Sequence, residues 1–562
     1  MRLAFLSLMM IFSVACTSLF GARPTAVVSI PDLRPTVAVV AAEESPIAPP
    51  EANPTSETLP EASPSSEEAP REEPSASPTI EASATAVATP TETPSYNPNN
   101  DPQATAMLID HVSDLYQQAN WDRYTMYVEL NPSDASFQGS LQISMTNRSA
   151  MAWDEIYFHL YPNHADYRGL LRVDDVRING EVTPTEGQRG NLLLRLPLQE
   201  AMEVGETLTV SMQFSGRSPK NSSRNAYGAY NQENGVWNLA TFYPILARYG
   251  ADGWDTRAVS SRGDFVVSDT ALYDVTVRTP DDWVLVSTGA RIEGYPVDEG
   301  SHNERFVSGP QREFLLTALN GLEDVSAIVE GTRVRSFYYK GEEAAGAEAL
   351  RVASDALRIF NARFGKYPLA ELDIIQSPLT SFAGVEYPGI VLIEQRLYRQ
   401  SGRGLETTVA HEVAHQWWYS LVGNDAQADP WLDEGLTSYS EIVYYEGIGD
   451  YDQARASLAG FRQSLQRART AGRDGVVARP PSEMNGNYVV LVYHKAALFF
   501  QALRNRLGDD LFFTVLQNYF ATYRYGTATG QGFLAVAQQT CSCDLEAFYS
   551  DWILSDKRVA LP

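Results

Sequence analysis

Between Glu406 and Glu441 the chain reads ETTVAHEVAHQWWYSLVGNDAQADPWLDEGLTSYSE, which places His411, Glu412 and His415 in the pattern H-E-x-x-H. Residues four apart share one face of a helix, so both imidazoles can point at one metal ion. Glu412, one position on from His411, is turned by about 100° and reaches the ion's open side. Two histidines do not complete a zinc site; a catalytic one takes three protein ligands and keeps a fourth position for water. Glu434, within Trp431-Leu432-Asp433-Glu434-Gly435, is the best third ligand. Apart from a bend at Asp429-Pro430 the stretch reads as two helices, the second folded back against the first. Glu441, one heptad after Glu434, lies on roughly the same helical face and is a candidate acceptor for a ligand's N–H. The alternative is a pair of buried histidines in an ordinary amphipathic helix, which seven histidines in 562 residues make improbable at this spacing.

H-E-x-x-H, eighteen residues, then Glu within W-L-x-E-G resembles the M1 family of zinc aminopeptidases. Three more stretches agree with the resemblance, which extends from about Tyr124 to the end of the chain. Ala383-Gly384-Val385-Glu386-Tyr387 occupies the place of the family's G-x-M-E-N motif, with Val385 for Met and Tyr387 for Asn. The resemblance implies that Gly384 and Glu386 bind substrate, Glu386 pairing with the free α-amine of a peptide. Val492-Tyr493-His494-Lys495-Ala496 resembles Y-x-K-G-A, and implies that Tyr493 donates its hydroxyl to an oxyanion. His494 receives no role and reads as exposed. The strand-rich run from TFYPILARYGADGW to GDFVVSD follows the family order, without a counterpart of the glutamine-bearing motif that some members use at the substrate's amino end.

One Zn²⁺ per chain, held by His411, His415 and Glu434, with Glu412 as general base and Tyr493 as oxyanion donor, is the implied machinery, acting on peptides with a free N-terminus. Two other readings stand beside it: a zinc endopeptidase of the same fold, and a peptide-binding module without catalysis. The chain ends where larger family members continue into a further helical domain, which implies a more open cleft.

A charge balance of 43 basic against 70 acidic residues excludes a nucleic-acid surface. Residues 1–16, MRLAFLSLMMIFSVAC, have Arg2 before an apolar run too short to span a bilayer, the form of an export signal. Small residues before Cys16 resemble a lipobox, although Ser13 stands where Leu is usual. The expectation is therefore an exported protein of the cell envelope or outer surface, anchored to a membrane by lipid on Cys16. Residues 17–104, rich in Pro, Ser, Thr, Glu and Ala, read as a disordered linker. The state of Cys541 and Cys543 is left open.

The expected fold class is α+β. Residues 105–332 carry short runs such as YTMYVELNP, GSLQISMTN and ETLTVSMQF with near period-two alternation, which predicts an antiparallel, saddle- or sandwich-like β domain. Residues 333–562 predict a mainly helical, thermolysin-like catalytic domain with a small β-sheet, in which the segment holding Glu386 is a loop between two strands.

Overall fold

The computed structural model describes residues 101–562 except 119, 222–227, 261, 401 and 485. The expectations for the export signal, for Cys16 and for nearly all of the linker lie outside the described residues. The described chain begins with a 3₁₀ turn at Pro102–Ala106, across the end of the stretch read as linker, where the buried Gln103 side chain donates to the Tyr273 carbonyl at 3.2 Å.

An eight-stranded sheet dominates the β-rich half, with Asp122–Asn131, Ser136–Thr146 and Thr207–Arg217 side by side. Their alternation does the work expected of it. Tyr124, Met126, Val128 and Leu130, with Leu141, Ile143, Met145, Val210, Met212 and Phe214, all turn to one buried face. One pairing departs from the antiparallel expectation. Asp122–Asn131 runs parallel to Ala271–Pro280, because the chain returns to this edge by a long excursion and not through a hairpin. Two four-stranded sheets close over that core, one built on Val236–Leu239 and Leu316–Leu319 and the other on Trp153–His159 and Leu193–Met202.

A separate five-stranded sheet starts at Leu322, ten residues ahead of the boundary expected at 332. Its order is Leu322–Val329, Thr332–Tyr339, Glu371–Ser377, Ile390–Glu394 and Gly384–Tyr387, and the helix Glu343–Phe364 makes the crossover between its second and third strands. Gly384–Tyr387, read as loop, is a short edge strand antiparallel to Ile390–Glu394. The helical half packs on this sheet. Met107, Val112, Leu115 and Trp121, from the beginning of the described chain, also belong to its core. Cys541 and Cys543 are joined in a disulfide. No helix among the described residues is long and apolar enough to cross a membrane.

Candidate active site

The helix Arg403–Ala414 carries His411 and Glu412 and stops with His415 as its cap. It does not run on toward Asp429 as expected. Beyond His415 the backbone turns through bonds that reach back five residues, Ser420 N–H to His415 at 3.0 Å and Val422 N–H to Trp417 at 3.0 Å. Trp417 and Trp418, within this turn, are buried, and the helix Trp431–Gly447 follows.

That second helix brings the Glu434 carboxylate to the two imidazoles. Glu434 Oε2 lies 3.4 Å from His411 Nε2 and 3.5 Å from His415 Nε2, and this oxygen has no hydrogen-bond donor. The outer nitrogens are engaged: His411 Nδ1 is 2.8 Å from Glu441 Oε1, and His415 Nδ1 is 3.1 Å from the Trp418 carbonyl. Both partners are acceptors, so each Nδ1 carries its proton and each Nε2 turns toward Glu434. Burial disfavours charge on His411, yet Glu434 and Glu441 outweigh it and raise its pKa to about 10. Glu434 is buried too, and the two imidazoles hold it at about 2. A pocket that favours positive charge so strongly among two Nε2 atoms and a carboxylate suits a divalent cation in place of protons.

His411, His415 and Glu434 therefore form a candidate zinc site. Two other groupings come equally close, Glu386 with Glu412 and His415, and Asp264 with Asp433 and Glu434. They offer one imidazole or none, and a nitrogen-rich set suits zinc better.

Glu412 lies one position from His411, and its Oε2 is buried without a partner. Burial raises its pKa to about 8. Gly384 makes room for it: a Cβ at Gly384 would fall 2.5 Å from the Glu412 carboxyl carbon. Glu386, two residues along the same edge strand, is 7% exposed and reaches within 3.9 Å of His415 Nδ1. Tyr493 sits on a π-helical segment, Val489–Lys495, with its ring parallel to His411 and its hydroxyl donating to Glu434 Oε1. Burial keeps that phenol neutral. His494, expected to be exposed, is half-buried, bonded to Ser464 Oγ at 2.8 Å and stacked on Phe461. A cleft of about 270 Å³ gathers all eight expected residues.

Three contributors were not found from the sequence. Gln416, fully buried, accepts from the Gly389 N–H at 2.9 Å and donates to the Tyr387 carbonyl at 3.0 Å, so it grips the turn just after Glu386. Its only signal was its place next to His415. Asp264 lines the cleft from the β-rich half, its carboxyl pKa raised by burial and then by Glu386, Asp433 and Glu434. In the sequence it is one aspartate in a Gly-Asp turn. Tyr488, at the start of the segment bearing Tyr493, completes that wall.

The family model for the peptidase family M1 domain matches residues 348–552. The M1 zinc metallopeptidase of Deinococcus radiodurans matches with a TM-score of 0.58 at 20% identity, covering 79% of this chain and 94% of that one. A mutant of the same enzyme bound to a Tyr-Ser-Ala substrate matches at 0.59. The fold is thus the two-domain M1 fold. Among curated proteins, Aminopeptidase M1-A of Oryza sativa subsp. japonica is 24% identical over 64% of this chain and 42% of its own length. Aminopeptidase N of Lactococcus lactis subsp. lactis is 23% identical over 77% and 50%. The chain spans half or less of the length of these curated M1 relatives.

Proposed function

We propose that this chain is a zinc aminopeptidase, removing the first residue from peptides with a free amino end. The observation that carries the reading is the meeting, in one cleft, of the two imidazoles and carboxylate of the metal site with Glu412 and Glu386. His411, His415 and Glu434 would hold zinc, which when bound supplies a Lewis acid to the scissile carbonyl and to water. Glu412 takes the proton of the attacking water and returns it to the leaving amine. Tyr493 donates to the oxyanion, a task suited to a phenol kept neutral. Glu386 accepts a charge-assisted bond from the substrate's α-ammonium, which an internal peptide bond cannot supply. Asp264 lines the same space from the β-rich half. The names of Aminopeptidase M1-A, Aminopeptidase M1 and Aminopeptidase N among the curated relatives support the assignment.

Hydrolysis of free-amine aminoacyl-anilides beside their N-acetylated forms, with and without a chelator, tests it. Cleavage confined to the free-amine set, lost with chelator and restored by zinc, is the expected result. Cleavage of blocked substrates would instead make the chain an endopeptidase, and no cleavage of either would favour a binding module.

The sequence of residues 1–16 also supports export with a lipid on Cys16, and hence a place in the cell envelope. Cys16→Ala should move the protein from the detergent phase to the aqueous phase; unchanged partition would remove the anchor.

A further inference from the structure

Tyr493 and Lys495 are two positions apart on one π-helical segment, and they leave it on roughly opposite faces. Tyr493 turns into the cleft. Lys495 turns away from it, is 0% exposed, and ends on Asp474 Oδ1 at 3.0 Å and the Gly475 carbonyl at 2.6 Å. Asp474 is itself fixed: its other oxygen accepts from Arg469 Nε at 2.8 Å, and the Gly475 N–H donates to its first oxygen at 2.9 Å. Arg469 is buried as well and donates to the Val559 carbonyl at 3.0 Å. Two buried cations thus share one carboxylate just behind the segment that presents Tyr493.

A buried ion pair of this kind is a weak source of stability, because desolvation of both charges cancels most of their attraction. Its geometry is what it fixes. A π-helical turn has a wider backbone path than an α-helix, with the Ala496 N–H reaching back five residues to the Leu491 carbonyl. That path needs an external hold if the Tyr493 hydroxyl is to stay on Glu434 Oε1. Behind the segment, Asp474 supplies such a hold through Lys495, beside the contacts of His494 with Ser464 and Phe461.

We propose that Asp474, through Lys495, is a positioning device for Tyr493. The proposal rests on the aminopeptidase reading above, in which Tyr493 serves the oxyanion. Asp474 touches no reacting atom; it sets where the phenol stands.

The experiment is a double-mutant cycle on the zinc-loaded full chain, with Asp474→Asn and Asp474→Glu each made alone and with Tyr493→Phe. Asp474→Glu keeps the charge and moves it by one methylene, so it preserves a folded protein if Asp474→Asn does not. Each single Asp474 variant is expected to lower kcat by about 10- to 100-fold with KM within about twofold, since the oxyanion exists only in the transition state. In the Tyr493→Phe background the same change is expected to cost nothing further. Unchanged kcat in the folded variants, or losses that multiply with Tyr493→Phe, would overturn the proposal and leave the pair a packing feature. Absence of turnover in the unsubstituted protein would strike the aminopeptidase reading itself and this role with it.

Discussion

Gly384 and Glu412 occupy adjoining space so tightly that any side chain on the first would enter the carboxyl group of the second. The edge strand and the H-E-x-x-H helix are therefore in register only with glycine at 384. Gly384→Ala should push the Glu412 carboxylate out of line and lower kcat by roughly 100-fold, toward the effect of Glu412→Gln, which removes the base altogether. Zinc content measured on the same samples should stay at one per chain for both. Normal turnover in Gly384→Ala would mean that Glu412 is not held where it acts.

Glu441 holds His411 through its outer nitrogen at 2.8 Å. Glu441→Gln keeps the shape but surrenders the negative charge that makes the imidazole a stronger donor. Competition with a chelator should record zinc affinity about 10- to 100-fold weaker. Affinity equal to the unsubstituted chain would reduce this contact to packing.

Gln416 satisfies the Tyr387 carbonyl and the Gly389 N–H, both in the buried turn behind Glu386. Gln416→Leu strands both groups, at a cost of about 1–3 kcal/mol for each group left without a partner. The thermal midpoint should fall, and KM for free-amine substrates should rise by up to about tenfold as Glu386 loses its backing. A lower midpoint with KM untouched would separate the turn from amine binding.

His159 is 5% exposed and stacked on Tyr161, and burial lowers its pKa from the usual 6.5 to about 4. The folded chain holds this imidazole neutral, whereas the unfolded chain protonates it below about 6.5. Its contribution is thus present above that pH and lost as pH falls through the window down to about 4, at about 1.4 kcal/mol per pH unit. Urea unfolding of His159→Gln across that range should give a flatter acid limb. An acid limb as steep as before would locate the sensitivity elsewhere.

The metal-site candidates were legible because their geometry is local. Two histidines at helical spacing, a glutamate on the next helix and a second one a heptad later need only a helical repeat to be placed. What escaped the sequence depends on distant segments meeting. Asp264 becomes a cleft residue only when the β-rich half closes on the helices, and Gln416 gains its task from a turn 27 to 29 residues earlier. The edge strand Gly384–Tyr387 is too short for alternation to speak, and its Gly and Pro neighbours read as loop. The strand Leu322–Val329 falls ahead of the boundary expected at 332, because a strand's pattern does not name the sheet it joins.

The helix bearing Glu434 and the segment that follows Tyr493 touch at Gly435 and Ala496, where a Cβ on the glycine would fall 2.5 Å from the alanine methyl. Neither position has room to grow. The interval between a candidate metal ligand and the phenol beside it is consequently gauged by one missing side chain and one methyl, and a single methyl added at 435 would force the two backbones apart at that point.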